Sequence, residues 1–160
     1  EIRPALVFQY QQPALDRADR LDGDIAIAQR QILAVLAHPD QQRLQVGLLA
    51  GLAEPRLAKA INAMHVEPAR AWSLEQLAAT AGMSRARFAA TFRDTVGMTP
   101  GSYLAEWRLG VAQSLLRRGK PVQLVSDVVG YGSASALSRA FRAHTGQTPT
   151  QWLKHGRQGH

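Results

Sequence analysis

From residue 55 onward, apolar side chains return at spacings of three and four, the period of a helix with one buried face. Leu57, Ile61 and Met64 predict a helix over 56–66 that Pro68 stops. Leu74, Leu77 and Ala78 predict a short helix, with Ser73 placed to cap it and Gln76 placed to return the bond as a capping box. Gly82 marks a reversal, since glycine takes positive φ without a Cβ clash. Ser84 then caps a helix running to about Val96, with Phe88 and Phe92 inward. Tyr103, Leu104, Trp107, Val111, Leu115 and Leu116 form the buried stripe of a long connector helix over 101–118, opened by Pro100. A helical stretch over 121–129, a turn at Gly130, a helix over 134–145 and a last helix from Pro149 to about His155 bring the total after Pro55 to seven. Upstream the pattern is weaker. Alternation over 2–10 suggests a strand, Asp24 can cap a helix carrying Ile25, Ile27, Ile32, Leu33 and Leu36, and a second apolar run over 44–52 reads as a helix packing on its neighbours or, alternatively, as a dimerisation surface.

One unit of this pattern is used twice. Gly82-Met83-Ser84, Phe88, Phe92-Arg93 and Gly97-Met98-Thr99-Pro100 return, 49 residues on, as Gly130-Tyr131-Gly132-Ser133, Leu137, Phe141-Arg142 and Gly146-Gln147-Thr148-Pro149. A glycine turn, a capping serine, an inward aromatic with an arginine after it and a Gly-x-Thr-Pro stop are the features of a helix-turn-helix. The predicted fold is therefore all-α, with two helix-turn-helix subdomains (74–96 and 122–145) joined by the connector and preceded by a short, mainly helical segment. At about 1.5 Å per residue the connector is near 27 Å long, so recognition helices at its ends could sit roughly one DNA turn, about 34 Å, apart.

Charge sharpens the picture. The net charge is +7, but residues 1–55 hold five Arg against seven acids, so the whole excess lies downstream, where residues 56–160 carry 14 Lys or Arg and five acids. A basic segment of that kind implies a polyanionic partner. There are no cysteines, which excludes disulfides and Cys-ligated zinc. His38, His65, His144, His155 and His160 form no His-x-x-x-His or His-Glu spacing and the acids do not cluster, so neither a metal site nor catalysis is expected. His65 is placed at the edge of a core and His144 on a helix surface. No cofactor is implied, no apolar run has the length of a membrane span, and the expected location is cytoplasmic.

Helical geometry selects the DNA-facing candidates. With Phe88 and Phe92 inward, the opposite face of the first recognition helix carries Ala86, Ala90 and Arg93, with Ala89 beside them, Arg87 on the other flank, and Ser84 and Arg85 at its start. With Leu137 and Phe141 inward, the second exposes Ser135, Arg139 and Arg142, flanked by Ser138, with Ser133 and Ala134 at its start. Arg139 can donate two parallel bonds to guanine O6 and N7, and Ser135 or Ser138 can donate or accept, whereas alanines offer only apolar contact. Arg93 and Arg142, lower on each helix, suit phosphates. An exposed arginine is by default solvated surface; the doubled framework is what raises Arg139 above that default.

These residues resemble the DNA-binding domain of AraC/XylS-type transcriptional regulators of bacteria. The resemblance rests on Val129-Gly130-Tyr131-Gly132-Ser133, on Leu137 to Arg142, on Gly146, Pro149 and Trp152, and, for the first motif, on Trp72-Ser73-Leu74, Ala81-Gly82-Met83-Ser84, Phe88, Tyr103-Leu104 and Trp107-Arg108. It covers about 52–153, and the first motif is similar to the subgroup whose sensor is a cupin barrel. Ser126, Leu137 and Trp152 depart from the usual Ala, Phe and Tyr in ways compatible with packing. The resemblance implies a sequence-specific regulator of double-stranded promoter DNA that inserts both recognition helices into successive major-groove segments and contacts RNA polymerase as an activator. It also implies an upstream effector-binding barrel. Residues 1–51 are too short to be one, and are expected to be a linker, a dimerisation remnant that could support a homodimer, or the end of such a sensor, with 52–160 as the DNA-binding domain. Alkyl-transfer repair proteins with a similar helical module need a reactive cysteine, which is missing here. The remaining alternative is a helical protein-interaction module with incidental DNA affinity.

Overall fold

A computed structural model of the chain describes residues 42–158. The strand suggested over 2–10 and the helix capped by Asp24 lie outside the described residues. Eight helices and no strand occur among the described residues: α1 (Gln42–Ala53), α2 (Pro55–Val66), α3 (Leu74–Ala81), α4 (Arg85–Val96), α5 (Pro100–Arg117), α6 (Val122–Val129), α7 (Ala134–Thr145) and α8 (Pro149–Gln158). The seven from Pro55 onward follow the predicted order. The connector runs Pro100–Arg117, one residue earlier than predicted at each end, and α8 continues past His155 to Gln158.

Local chemistry sets the helix ends. Ser73 Oγ accepts from the Gln76 N–H at 3.1 Å and Gln76 Oε1 accepts from the Ser73 N–H at 3.0 Å, closing the capping box. Glu54 caps α2 by accepting from the Leu57 N–H at 2.7 Å, and Thr99 caps α5 by accepting from the Ser102 N–H at 3.2 Å. α3 ends on Gly82 in the left-handed region (φ 66°), the conformation a reversal of two or three residues requires.

Packing organises the helices into two units on α5. The first comprises α2, α3 and α4, and the second α6, α7 and α8; α5 packs against helices of both. One cluster of buried side chains runs through both units, from Phe88 and Phe92 through Tyr103 and Trp107 to Val125, Leu137 and Phe141. Aromatic edges tie each recognition helix down, with Phe92 on Tyr103 at 5.7 Å and Phe141 on Trp152 at 5.5 Å, both near-perpendicular. The three departures noted above are accommodated. Ser126 is fully buried with its hydroxyl donating to the Gln123 carbonyl at 2.7 Å, Leu137 is fully buried, and Trp152 lies under the Arg117 guanidinium at 4.7 Å.

One expectation changes. His65 is not at the edge of a core but buried, 2% exposed, stacked on Trp107 at 3.7 Å and sharing a 2.7 Å hydrogen bond with the Tyr103 hydroxyl. Burial pushes its imidazole down to about 3, so it is neutral in the fold. Its position comes from α5, whose stripe closes over α2 from 38 residues away. Residue 52, where the DNA-binding domain was expected to begin, lies within α1. Leu44 and Leu48 of α1 are both 1% exposed and join the core, and Gly47 and Gly51 let the helix lie against α4 and α2. A Cβ at Gly47 would stand 2.6 Å from the Val96 carbonyl oxygen, and one at Gly51 2.4 Å from Ile61 Cδ1. The compact unit therefore includes α1.

Candidate nucleic-acid interface

Each recognition helix buries one face and leaves the other open. On α4, Phe88, Phe92 and Val96 are buried, while Arg85, Ala86, Arg87, Ala90 and Arg93 are exposed and Ala89 is half-buried. On α7, Leu137 and Phe141 are buried, Ser135, Arg139 and Arg142 are exposed, and Ala134 and Ser138 are half-buried. Apart from the capping Ser84 and Ser133, and Arg85 and Ala134 at the helix starts, every predicted candidate thus lies on, or on the flank of, an outward helix face. Spacing accounts for most of this, because side chains three or four apart share a face; Arg85 and Ala134, three positions before the buried Phe88 and Leu137, fall on the inward side and stay at least partly open because they begin their helices.

The two helix starts are built alike. Ser84 Oγ accepts from the Arg87 N–H at 3.3 Å and Ser133 Oγ from the Ala136 N–H at 3.1 Å. These caps use the oxygen as acceptor and leave the hydroxyl proton for an outside acceptor such as a phosphate. Ser133 Oγ also stands 3.3 Å from Ser135 Oγ. Both termini present unsatisfied backbone N–H groups and the positive end of the helix dipole, which favours an anion.

The cations differ in their engagement. Arg85 Nη1 lies 3.4 Å from Glu75 Oε1, with both side chains largely exposed, a pair worth at most about 1 kcal/mol and readily exchanged for a phosphate. Among the described residues, no hydrogen bond or ion pair engages the side chains of Arg87, Arg93, Arg139 or Arg142. Four guanidinium groups on two outward faces thus lack a partner among the described residues.

The second turn is one residue longer than the first, since Gly130, Tyr131 and Gly132 precede Ser133 where Gly82 and Met83 precede Ser84. Gly130 (φ 87°) and Gly132 (φ 74°) both need the left-handed region. Sequence reasoning assigned no role to Arg108, which sits between the units and is half-exposed. The signal available was a cation inside the connector, next to the fully buried Trp107.

Two capped helix-turn-helix units held on one connector, each turning an arginine-bearing helix outward, define a tandem helix-turn-helix DNA-binding domain. The chain belongs to the AraC-type regulators, as its relatives and structural neighbours agree. A family model of a helix-turn-helix domain matches residues 77–155. An AraC-like transcription regulator of Streptomyces lividans is 46% identical over 110 residues, covering 68% of this chain and 36% of that protein. The RCS-specific transcriptional activator RclR of Escherichia coli is 37% identical over 160 residues, covering 98% of this chain and 56% of that protein. The chain thus spans about a third of the first relative's length and about half of the second's. Among solved structures, the DNA-binding domain of AdpA in complex with a target DNA matches with a TM-score of 0.59 at 30% identity, over 65% of this chain and 94% of that one. An AraC-type regulator from Chromobacterium violaceum matches with a TM-score of 0.58 at 26% identity, over 64% of this chain and 92% of that one. Among the described residues, no helix is long and apolar enough to cross a membrane.

Proposed function

We propose that this chain binds promoter duplex DNA in a sequence-specific way, with α4 and α7 entering successive major-groove segments, and that it activates transcription by contact with RNA polymerase. The observation that carries the reading is the pair of outward helix faces on one connector, whose Arg87, Arg93, Arg139 and Arg142 have no partner among the described residues. Base reading is assigned to Arg139, Ser135 and Ser138, phosphate contact to Ser84, Ser133, Arg93 and Arg142, and apolar contact to Ala86, Ala89, Ala90 and Ala134, with Arg85 and Arg87 in reach of either. Similarity over almost the whole chain, at 37% identity, to a protein named as an activator favours activation over repression.

The test is selection of bound duplexes from a random pool, followed by a mobility shift of the selected duplex against random DNA at moderate salt. Preference for the selected sequence supports the reading; equal binding of both refutes it and leaves the protein-interaction alternative.

The domain division proposed is a DNA-binding unit from α1 onward, with the segment upstream contributing association between chains. α1 leaves Val46 and Leu49 exposed at 63% and 51%, an apolar face pointing away from the core. Sedimentation of the 160-residue chain at tens of micromolar should show a dimer; a monomer removes that assignment.

A further inference from the structure

Arg108 stands on α5 where the two units meet. Its Nε donates to the Pro68 carbonyl oxygen at 2.6 Å and its Nη2 to the Arg70 carbonyl oxygen at 2.9 Å. Both carbonyls belong to the loop between α2 and α3, in the first unit. The same guanidinium lies 6.0 Å from the ring centroid of Tyr131, in the turn of the second unit. Burial lowers the Arg108 pKa and raises that of Tyr131, so the contact is partly withdrawn from water.

A backbone contact sits beside this one. A Cβ on Gly130 would stand 2.6 Å from Ala69 Cα and 2.8 Å from the Ala69 carbonyl oxygen, so the turn of the second unit lies directly on the loop of the first. Gly82, at the equivalent turn position, has nothing within 4 Å of a Cβ. Both glycines supply a positive φ, but only Gly130 is also a surface between units. The loop is braced from its own side, with Trp72 Nε1 donating to the Glu67 carbonyl at 2.9 Å and Arg70 over the Trp72 ring at 4.1 Å.

We propose that Arg108 is a positioning residue that sets the half-site spacing the protein accepts. By fixing the loop at 67–72 against the Gly130-Tyr131 turn, it holds the angle between α4 and α7. This rests on the duplex-binding reading above. Moving one half-site by a single base pair rotates it by roughly 35° about the duplex axis, which a rigid pair of helices cannot follow but a hinged pair can. The planar guanidinium serves two carbonyls at once in a fixed fork, a geometry the lysine ammonium lacks.

The test uses the full 160-residue chain and the selected duplex, with the spacer between half-sites changed by one and two base pairs. The unaltered protein is expected to lose about tenfold in affinity for each single-base-pair change, as linked modules do when geometry forbids joint engagement. Arg108→Ala is expected to lose no more than about threefold across the same series, while binding an isolated half-site within about twofold of the unaltered protein. Arg108→Lys should resemble Arg108→Ala, and it carries the comparison if the alanine variant fails to fold. A merely structural role would lower affinity by one factor at every spacing, and that result overturns the proposal. A spacing-selective protein with an equally selective Arg108→Ala removes the Arg108 assignment alone. Failure of the unaltered protein to prefer any duplex removes both readings.

Discussion

At the scale of single residues, burial and exposure divide the recognition helices into two kinds of position with different expected phenotypes. Phe92 and Phe141 are fully buried, so truncating either to alanine should cost about 3–5 kcal/mol and lower the melting temperature sharply. An unchanged melting temperature with lost DNA binding would mean the helix faces are inverted. Arg139 is exposed, so Arg139→Ala should leave stability alone, cost about 1–3 kcal/mol in binding and relax preference at one or two base pairs. Arg93→Ala should weaken all duplexes alike and reduce the salt slope by about one phosphate. Comparing base-preference profiles of Arg139→Ala and an Arg85/Arg87 double alanine variant checks the assignment, which fails if the double variant loses more specificity. His65 gives a pH prediction. Its imidazole, lowered to about 3 in the fold, keeps near 6.5 when unfolded, so its contribution is complete above pH 6.5 and is lost as pH falls towards 3. Between pH 7 and pH 5 this group should account for about 2 kcal/mol of lost stability. Denaturant melts at the two pH values, compared with His65→Gln, measure it; equal losses in both proteins contradict it.

At the scale of elements, local chemistry made most of the fold legible. Ser73 with Gln76, Gly82, Ser84, Thr99-Pro100 and Ser133 specify helix ends through neighbours within three or four residues, so their roles are written in short stretches of sequence. The repeat then made the pairing of units legible, and helical spacing placed the candidate DNA-facing residues. What escaped was decided over long range. The burial of His65 and the clamp of Arg108 depend on α5 meeting residues about forty positions earlier. α1 was ambiguous for another reason: Leu44 and Leu48 on one side and Val46 and Leu49 on the other are all apolar, so periodicity could not choose its inner face. Its glycines now allow a sharp prediction. Replacing a mid-helix glycine by alanine ordinarily gains up to about 1 kcal/mol, but at Gly47 the new Cβ meets the Val96 carbonyl oxygen at 2.6 Å, so Gly47→Ala should lower the melting temperature. A rise would show that α1 does not rest against α4.

At the scale of the whole molecule, the fold carries two outward cationic faces on one connector. On the proposed reading, these faces give the chain two footholds on one polyanion and make its affinity a product of linked contacts. Because Leu44 and Leu48 share the core with Phe92 and Val96, a chain beginning at Pro55 should be less stable than one beginning at Gln42, with DNA binding lost in step with folding. The central claim, that these faces read duplex DNA, is tested most directly by titrating salt against binding of the selected duplex and of a random one. Several phosphate contacts predict that the logarithm of affinity falls linearly with the logarithm of salt concentration, by about 0.9 per phosphate neutralised, with the selected duplex bound more tightly throughout. A salt-independent affinity, or identical curves for the two duplexes, would contradict it.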